Sequence, residues 1–147
     1  MLQVSAQVLY NHAKKAQARY DNAARAGVAA SAEYLLSELR KAYQDYYTSG
    51  AFSSTLQIRQ ALRRANPEKD KDGWYTLVGV PTATVTPKGG GKTVDRGMVA
   101  LAWELGHDNL FIGREVRVQI AVPTARQAER GMKEAFARVV KRYMEAP

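Results

Sequence analysis

Residues 3–47 carry apolar side chains at steps of three and four, the spacing that stacks them on one face of an α-helix. Leu9, Ala13, Ala16, Tyr20 and Ala23/Ala24 form the first stretch of the stripe. Ala32, Leu35, Leu36, Leu39, Ala42, Tyr43 and Tyr46 form the second. Gly27 stands between them, and a glycine inside a helix costs about 1 kcal/mol against alanine. The pattern predicts one long helix or a helical hairpin broken at Gly27. Thr48-Ser49-Gly50 ends it, and Ser53 or Ser54 caps a shorter helix running to about Ala65, where Asn66-Pro67 stops it.

After that point the period changes. The charged run Glu68–Asp72 reads as a surface turn, and Trp74-Tyr75-Thr76-Leu77-Val78 as a strand rich in aromatic and β-branched residues. Thr82–Thr86 extends that strand or pairs with it. Pro87-Lys88-Gly89-Gly90-Gly91-Lys92 reads as a loop with too little side chain to pack, at the centre of a flexible arm over residues 84–96. Met98–Leu105 is a short apolar helix capped by Gly106. Leu110–Ile112 and the alternating Glu115–Val122 are strands, and Pro123 or Thr124 opens a last helix to about Glu145. Its inner face is Ala125, Ala128, Met132, Ala135, Phe136, Val139 and Tyr143. The fold class is therefore α+β. A long N-terminal helix or hairpin, a small mainly antiparallel sheet and a C-terminal helix make one domain over residues 1–147.

Composition narrows the function classes. At 147 residues, 46% apolar and 24% charged, the chain has the size and makeup of a single globular domain. It holds no cysteine, which excludes disulfides, thiolate metal sites and a cysteine nucleophile. Neither a signal peptide nor a run of roughly 18 apolar residues is visible, so the expected location is cytoplasmic at first, without a membrane. The net charge of +8 is spread along the chain with opposite charges interspersed, unlike a dense nucleic-acid stripe.

Candidate chemistry is sparse. Thr86–Thr93 comes near a phosphate-binding loop, but Thr86 stands where that pattern needs glycine and Pro87 removes an amide donor. A basic arm with Lys88, Gly89, Gly90, Gly91, Lys92 and Arg96 as partner-binding residues is the reading adopted. His12 and His107 are the only histidines, and neither belongs to a ligand pattern; His107 reads as a loop residue just past a helix end. Arg59, Arg63 and Arg64 fall together on the second predicted helix, as a face for DNA phosphates or an acidic partner. Tyr43, Tyr46 and Tyr47 read as core and rim rather than a base-stacking platform. No cofactor, metal or catalytic residue is expected, and the chain is not expected to be an enzyme.

The order of these features resembles a known family. A long helix leads into Ser49-Gly50-Ala51-Phe52-Ser53-Ser54, a strand ends in Val78-Gly79, an apolar helix closes in Glu104-Leu105-Gly106, and Val122-Pro123 leads to the last helix. Over most of residues 30–147 this is similar to the neck or tail-completion proteins of tailed bacteriophages, with Gly50, Glu104, Leu105, Gly106 and Pro123 as the shared structural residues. The chain differs from the common family pattern at Thr48-Ser49-Gly50, at Val122-Pro123 and in its glycine-rich insertion. The resemblance implies a structural virion protein that forms a homo-oligomeric ring around the DNA channel. Its partners would be other head, neck or tail proteins and DNA bound without sequence preference. The alternative is a small basic nucleic-acid-binding regulator, which would need a recognition helix with base-reading side chains.

Overall fold

Helix α1 runs unbroken from Ala6 to Thr48, through Gly27. The computed structural model describes residues 6–48, 54–81, 85–88, 92–95, 99–101, 104, 107–109, 114–116 and 119–146. Gly27 does not break the helix because its role is in packing. A Cβ built there would lie 2.6 Å from Cδ2 of Phe136, on the C-terminal helix, where no carbon fits. Of the two sequence alternatives, one helix and a hairpin, the structure has the single helix.

The C-terminal helix, labelled α3 here, spans Ala121–Glu145. It lies antiparallel along the second half of α1, since Gly27 meets Phe136 and Val140 while Tyr34 meets Gly131. The fit is reciprocal, because a Cβ at Gly131 would fall 2.2 Å from Cζ of Tyr34. Each helix thus offers a glycine to an aromatic ring of the other. Ser31 Oγ donates to the Met132 carbonyl at 2.8 Å and pins the axial offset. The predicted inner face of α3 is correct in outline: Ala128 is buried, Met132, Ala135, Phe136 and Val139 are half-buried, and Tyr143 is exposed. Its outer face carries the exposed pairs Arg130–Glu134 and Lys133–Glu129, which contribute little to stability.

The α1 stripe is covered from Ala23, which is 1% exposed, onward. Ala32, Leu36, Leu39 and Tyr43 are buried, but Ala13, Ala16 and Tyr20 are exposed. Periodicity alone marks a face that is able to pack, and α3, whose Tyr143 borders a groove with Asn22 and Arg25, ends before it reaches residues 13–20. The core lies where Leu36, Leu39 and Tyr43 meet Ile58, Leu62 and Ile120.

Helix α2 spans Ser54–Ala61, shorter than predicted. Leu62 N–H still reaches the Ile58 carbonyl, and the chain then turns into strand β1, Arg63–Arg64, paired antiparallel with β4, Val78–Gly79. Ala65 N–H to the Leu77 carbonyl at 2.8 Å extends that pairing, which draws residues 62–65 out of the helix. The run expected as a surface turn is instead strand β2, Glu68–Asp70, paired with β3, Gly73–Tyr75. Lys71 and Asp72 form the hairpin turn, with Asp70 Oδ1 accepting the amides of Asp72 and Gly73. Gly73 has φ of +127°, a conformation that suits glycine. The single strand predicted over Trp74–Val78 is therefore two short ones with different partners.

Residues 85–95 also depart from expectation. Strand β5, Val85–Lys88, pairs with β6, Lys92–Asp95, so the predicted unstructured arm is a β-hairpin with Lys88 opposite Lys92. Residues 99–101 and 104 are helical, in line with the predicted apolar helix. His107 belongs to strand β7, His107–Asn109, and not to a loop. It faces β8, Arg114–Val116, across another antiparallel pair. The strand predicted to Val122 is cut short because α3 has begun by Ala121. Leu110–Ile112 lies outside the described residues. All strand pairs among the described residues are two-stranded and antiparallel, so the architecture is α+β.

Candidate functional site

The start of α3 is organised by a residue distant in sequence. A helix leaves its first amides without intrahelical acceptors. Ile120, at the N-cap, has no side chain able to accept them. Glu104 supplies the acceptors: Oε1 takes the amides of Ile120 at 2.7 Å and Ala121 at 2.6 Å, and Oε2 lies 3.5 Å from that of Val122. Pro123, next in line, has no N–H to satisfy and carries the fixed φ that suits a first helical turn. Thr124 N–H then makes the first intrahelical bond, to the Ile120 carbonyl at 3.2 Å, and its Oγ1 donates to the same oxygen. A carboxylate at this end also meets the positive pole of the helix dipole.

Two sequence-selected residues, Glu104 and Pro123, thus meet at one corner. Gly50, Leu105 and Gly106, also selected, lie outside the described residues. Beside the corner, Tyr43 is 2% exposed, and its hydroxyl is pushed up to about 12 by burial first and by the charge of Glu104 second. Tyr43, Leu62, Val80, Leu101 and Glu104 line an apolar groove of about 230 Å³. Gly79 and Val80 also border a second groove, of about 530 Å³, between Arg63 and Leu77. Leu101, lining the first groove, is 49% exposed and Leu77, lining the second, 69%; Val122, which follows Ala121 of the first, is 44% exposed. Exposed apolar side chains gathered at one end mark a surface that another protein covers more often than scattered ones do.

The three arginines do not share a helix face, contrary to the sequence expectation. Arg59 is on α2, whereas Arg63 and Arg64 form β1, because the β1–β4 pairing ends the helix between them. Arg64 is ion-paired with Glu33 of α1, and Arg63 donates to the carbonyls of Gln60 and Leu62 at 2.7 and 2.8 Å. Arg40 donates to the same Leu62 carbonyl at 3.0 Å. Arg59 Nε is buried with no acceptor. Arg63 and Arg64 therefore work largely as braces of the β1 turn.

Of the arm, Lys88 and Lys92 stand opposite one another in the β5–β6 hairpin, while Gly89, Gly90, Gly91 and Arg96 lie outside the described residues. A cluster that sequence reasoning missed fixes the β2–β3 hairpin to α1. Asp21 accepts the Trp74 indole N–H at 3.0 Å and the Lys69 ammonium. Arg25 and Lys69 stand 5.6 and 5.8 Å from the Trp74 ring centre, within cation–π range. The Lys69 hydrogen bond, and then that of Trp74, hold the Asp21 carboxyl below its ordinary value. Hairpin register placed these groups together, and nothing in their spacing along the chain announces it.

Among the described residues no group of three or more His, Asp or Glu side chains is placed to hold a metal ion. No described helix is long and apolar enough to cross a membrane. No protein-family model, curated protein or solved structure matches the chain.

Proposed function

We propose that this chain is a structural virion protein of the phage neck, a ring subunit around the DNA channel that joins tail to head or completes the tail. The observation that carries the reading is the contact of Glu104 with the amides just before Pro123. The Glu-Leu-Gly element and the Pro at the start of the last helix are separate parts of the resemblance, and the contact gives Glu104 and the segment before Pro123 a single structural purpose. The exposed apolar side chains of Leu101 and Val122 at that corner, with Leu77 on the adjoining groove, support a subunit interface. The β5–β6 hairpin, with Lys88 opposite Lys92 and the sequence Gly89-Gly90-Gly91 between them, is suited to reach an acidic surface on a neighbour. In this reading the chain has no turnover of its own, and its work is binding.

The test is a phage genome from which the coding sequence has been removed. Filled heads and separate tails, joined again when the chain is supplied in trans, are the expected result. Normal tailed particles from the deletion would overturn the reading, and base-specific duplex binding by the free subunit would favour the regulator instead.

A further inference from the structure

The first part of α1 projects past everything that packs on the second part. Helix α3 ends at Glu145, and its Tyr143 borders a groove with Asn22 and Arg25 of α1. The β2–β3 hairpin reaches α1 at Asp21. Before that point every residue from Ala13 to Tyr20 is exposed, and the helical backbone continues back to Ala6. At 1.5 Å per residue the overhang is a rod roughly 20 Å long.

Its charge has one sign. Residues 1–20 hold Lys14, Lys15 and Arg19 and no acidic residue. At 100° per residue these three and Arg25 fall within about 140° of arc, so they form one face. That face continues through Arg25 to Lys69 on the hairpin, and its nearest carboxylate, Asp21, is already held by Lys69 and Trp74. Between residues 13 and 20 the rod gives a second helix little to pack on, because Ala13, Ala16 and Ala18 are small knobs and Tyr20 is the only large apolar side chain there. A straight cationic rod complements a regular line of negative charge.

We propose that the overhanging end of α1, with Lys15 and Arg19 at its centre, lies against the phosphate backbone of duplex DNA without reading its bases. The choice of DNA over another polyanion rests on the neck reading. The contact moves the DNA-facing surface away from Arg59, Arg63 and Arg64, the residues that sequence spacing had suggested.

The experiment measures binding of the intact chain to a mixed-sequence duplex across a salt series. It compares Lys15→Gln/Arg19→Gln with a charge-matched control on the exposed face of α3, Arg126→Gln/Arg138→Gln. Helical content and melting temperature of both variants should equal those of the parent, since none of the four side chains is buried. The α1 variant is expected to bind about tenfold more weakly at low salt, with a log–log salt slope shallower by about 2. The control should stay within about twofold of the parent. Equal loss in the two variants, no duplex binding by the parent at low salt, or equally tight binding of poly-glutamate would each overturn the proposal. None of these outcomes bears on whether the chain joins tails to heads, so failure here and failure of the neck reading remain separable.

Discussion

Glu104 Oε1 accepts the amide of Ile120 at 2.7 Å, sixteen residues away in sequence, and so caps a helix from outside it. Replacing Glu104 with alanine leaves two amides of a partly buried helix start unsatisfied, which costs roughly 2–4 kcal/mol for a charged acceptor. Glutamine keeps an acceptor but loses the charge at the dipole, so Glu104→Gln is expected to cost about half as much. Chemical denaturation of both variants checks the order. Equal stability of parent and Glu104→Ala would remove the cap from the account.

The glycines of the α1–α3 contact differ in what they face. At Gly27 an added Cβ meets the ring of half-buried Phe136 and, at 3.0 Å, Val140. At Gly131 it meets the far end of Tyr34, which is 37% exposed and has room to swing aside. Gly27→Ala should therefore destabilise by about 1–3 kcal/mol despite its better helix propensity. Gly131→Ala should cost less. Thermal melts of the two variants read the difference directly, and the reverse order would mean that the helices separate more easily than their packing implies.

Tyr43 gives an alkaline signature. Its hydroxyl has an ordinary value of 10.0 when unfolded and about 12 in the fold, so the folded state keeps its proton longer. The stability this group contributes is fully present below pH 10 and is lost as pH rises toward 12. Tyr43→Phe removes the titration, so its stability relative to the parent should improve steadily across that window, by about 2–3 kcal/mol at the upper end. Urea titrations at a series of alkaline pH values measure it, and a pH-independent difference would show the group to be solvated.

Much of the fold was legible in the chain because long periodic segments state their own period. Both long helices, and the class, follow from the spacing of residues such as Leu36, Leu39 and Tyr43, or Ala128, Ala135 and Phe136. Gly27 was misleading for a physical reason: propensity counts what glycine costs in isolation and is blind to a ring that needs its missing Cβ. Arg63 and Arg64 left the predicted helix because residues 77–79, from a different part of the chain, offered them a ladder. Glu104 was picked out by resemblance alone, since a carboxylate aimed at amides sixteen residues on has no local pattern. The Asp21–Trp74–Lys69 cluster had no sequence signal at all.

On the neck reading the β5–β6 hairpin is an arm for a partner, with Lys88 opposite Lys92. Deleting residues 87–92 is expected to leave the melting temperature of the isolated chain within about a degree, and to impair particle assembly. A large drop in melting temperature would make the hairpin part of the fold. Normal yields of infectious particles would make it dispensable.

The central claim is that the chain is a ring subunit at the junction of head and tail, and electron microscopy of purified tailed particles, combined with mass measurement of their proteins, tests it most directly. The account predicts the chain among the virion proteins and a ring of its density at the neck, encircling the DNA channel with the Glu104 corner turned to a neighbouring subunit. Complete, infectious particles that lack the chain would contradict it.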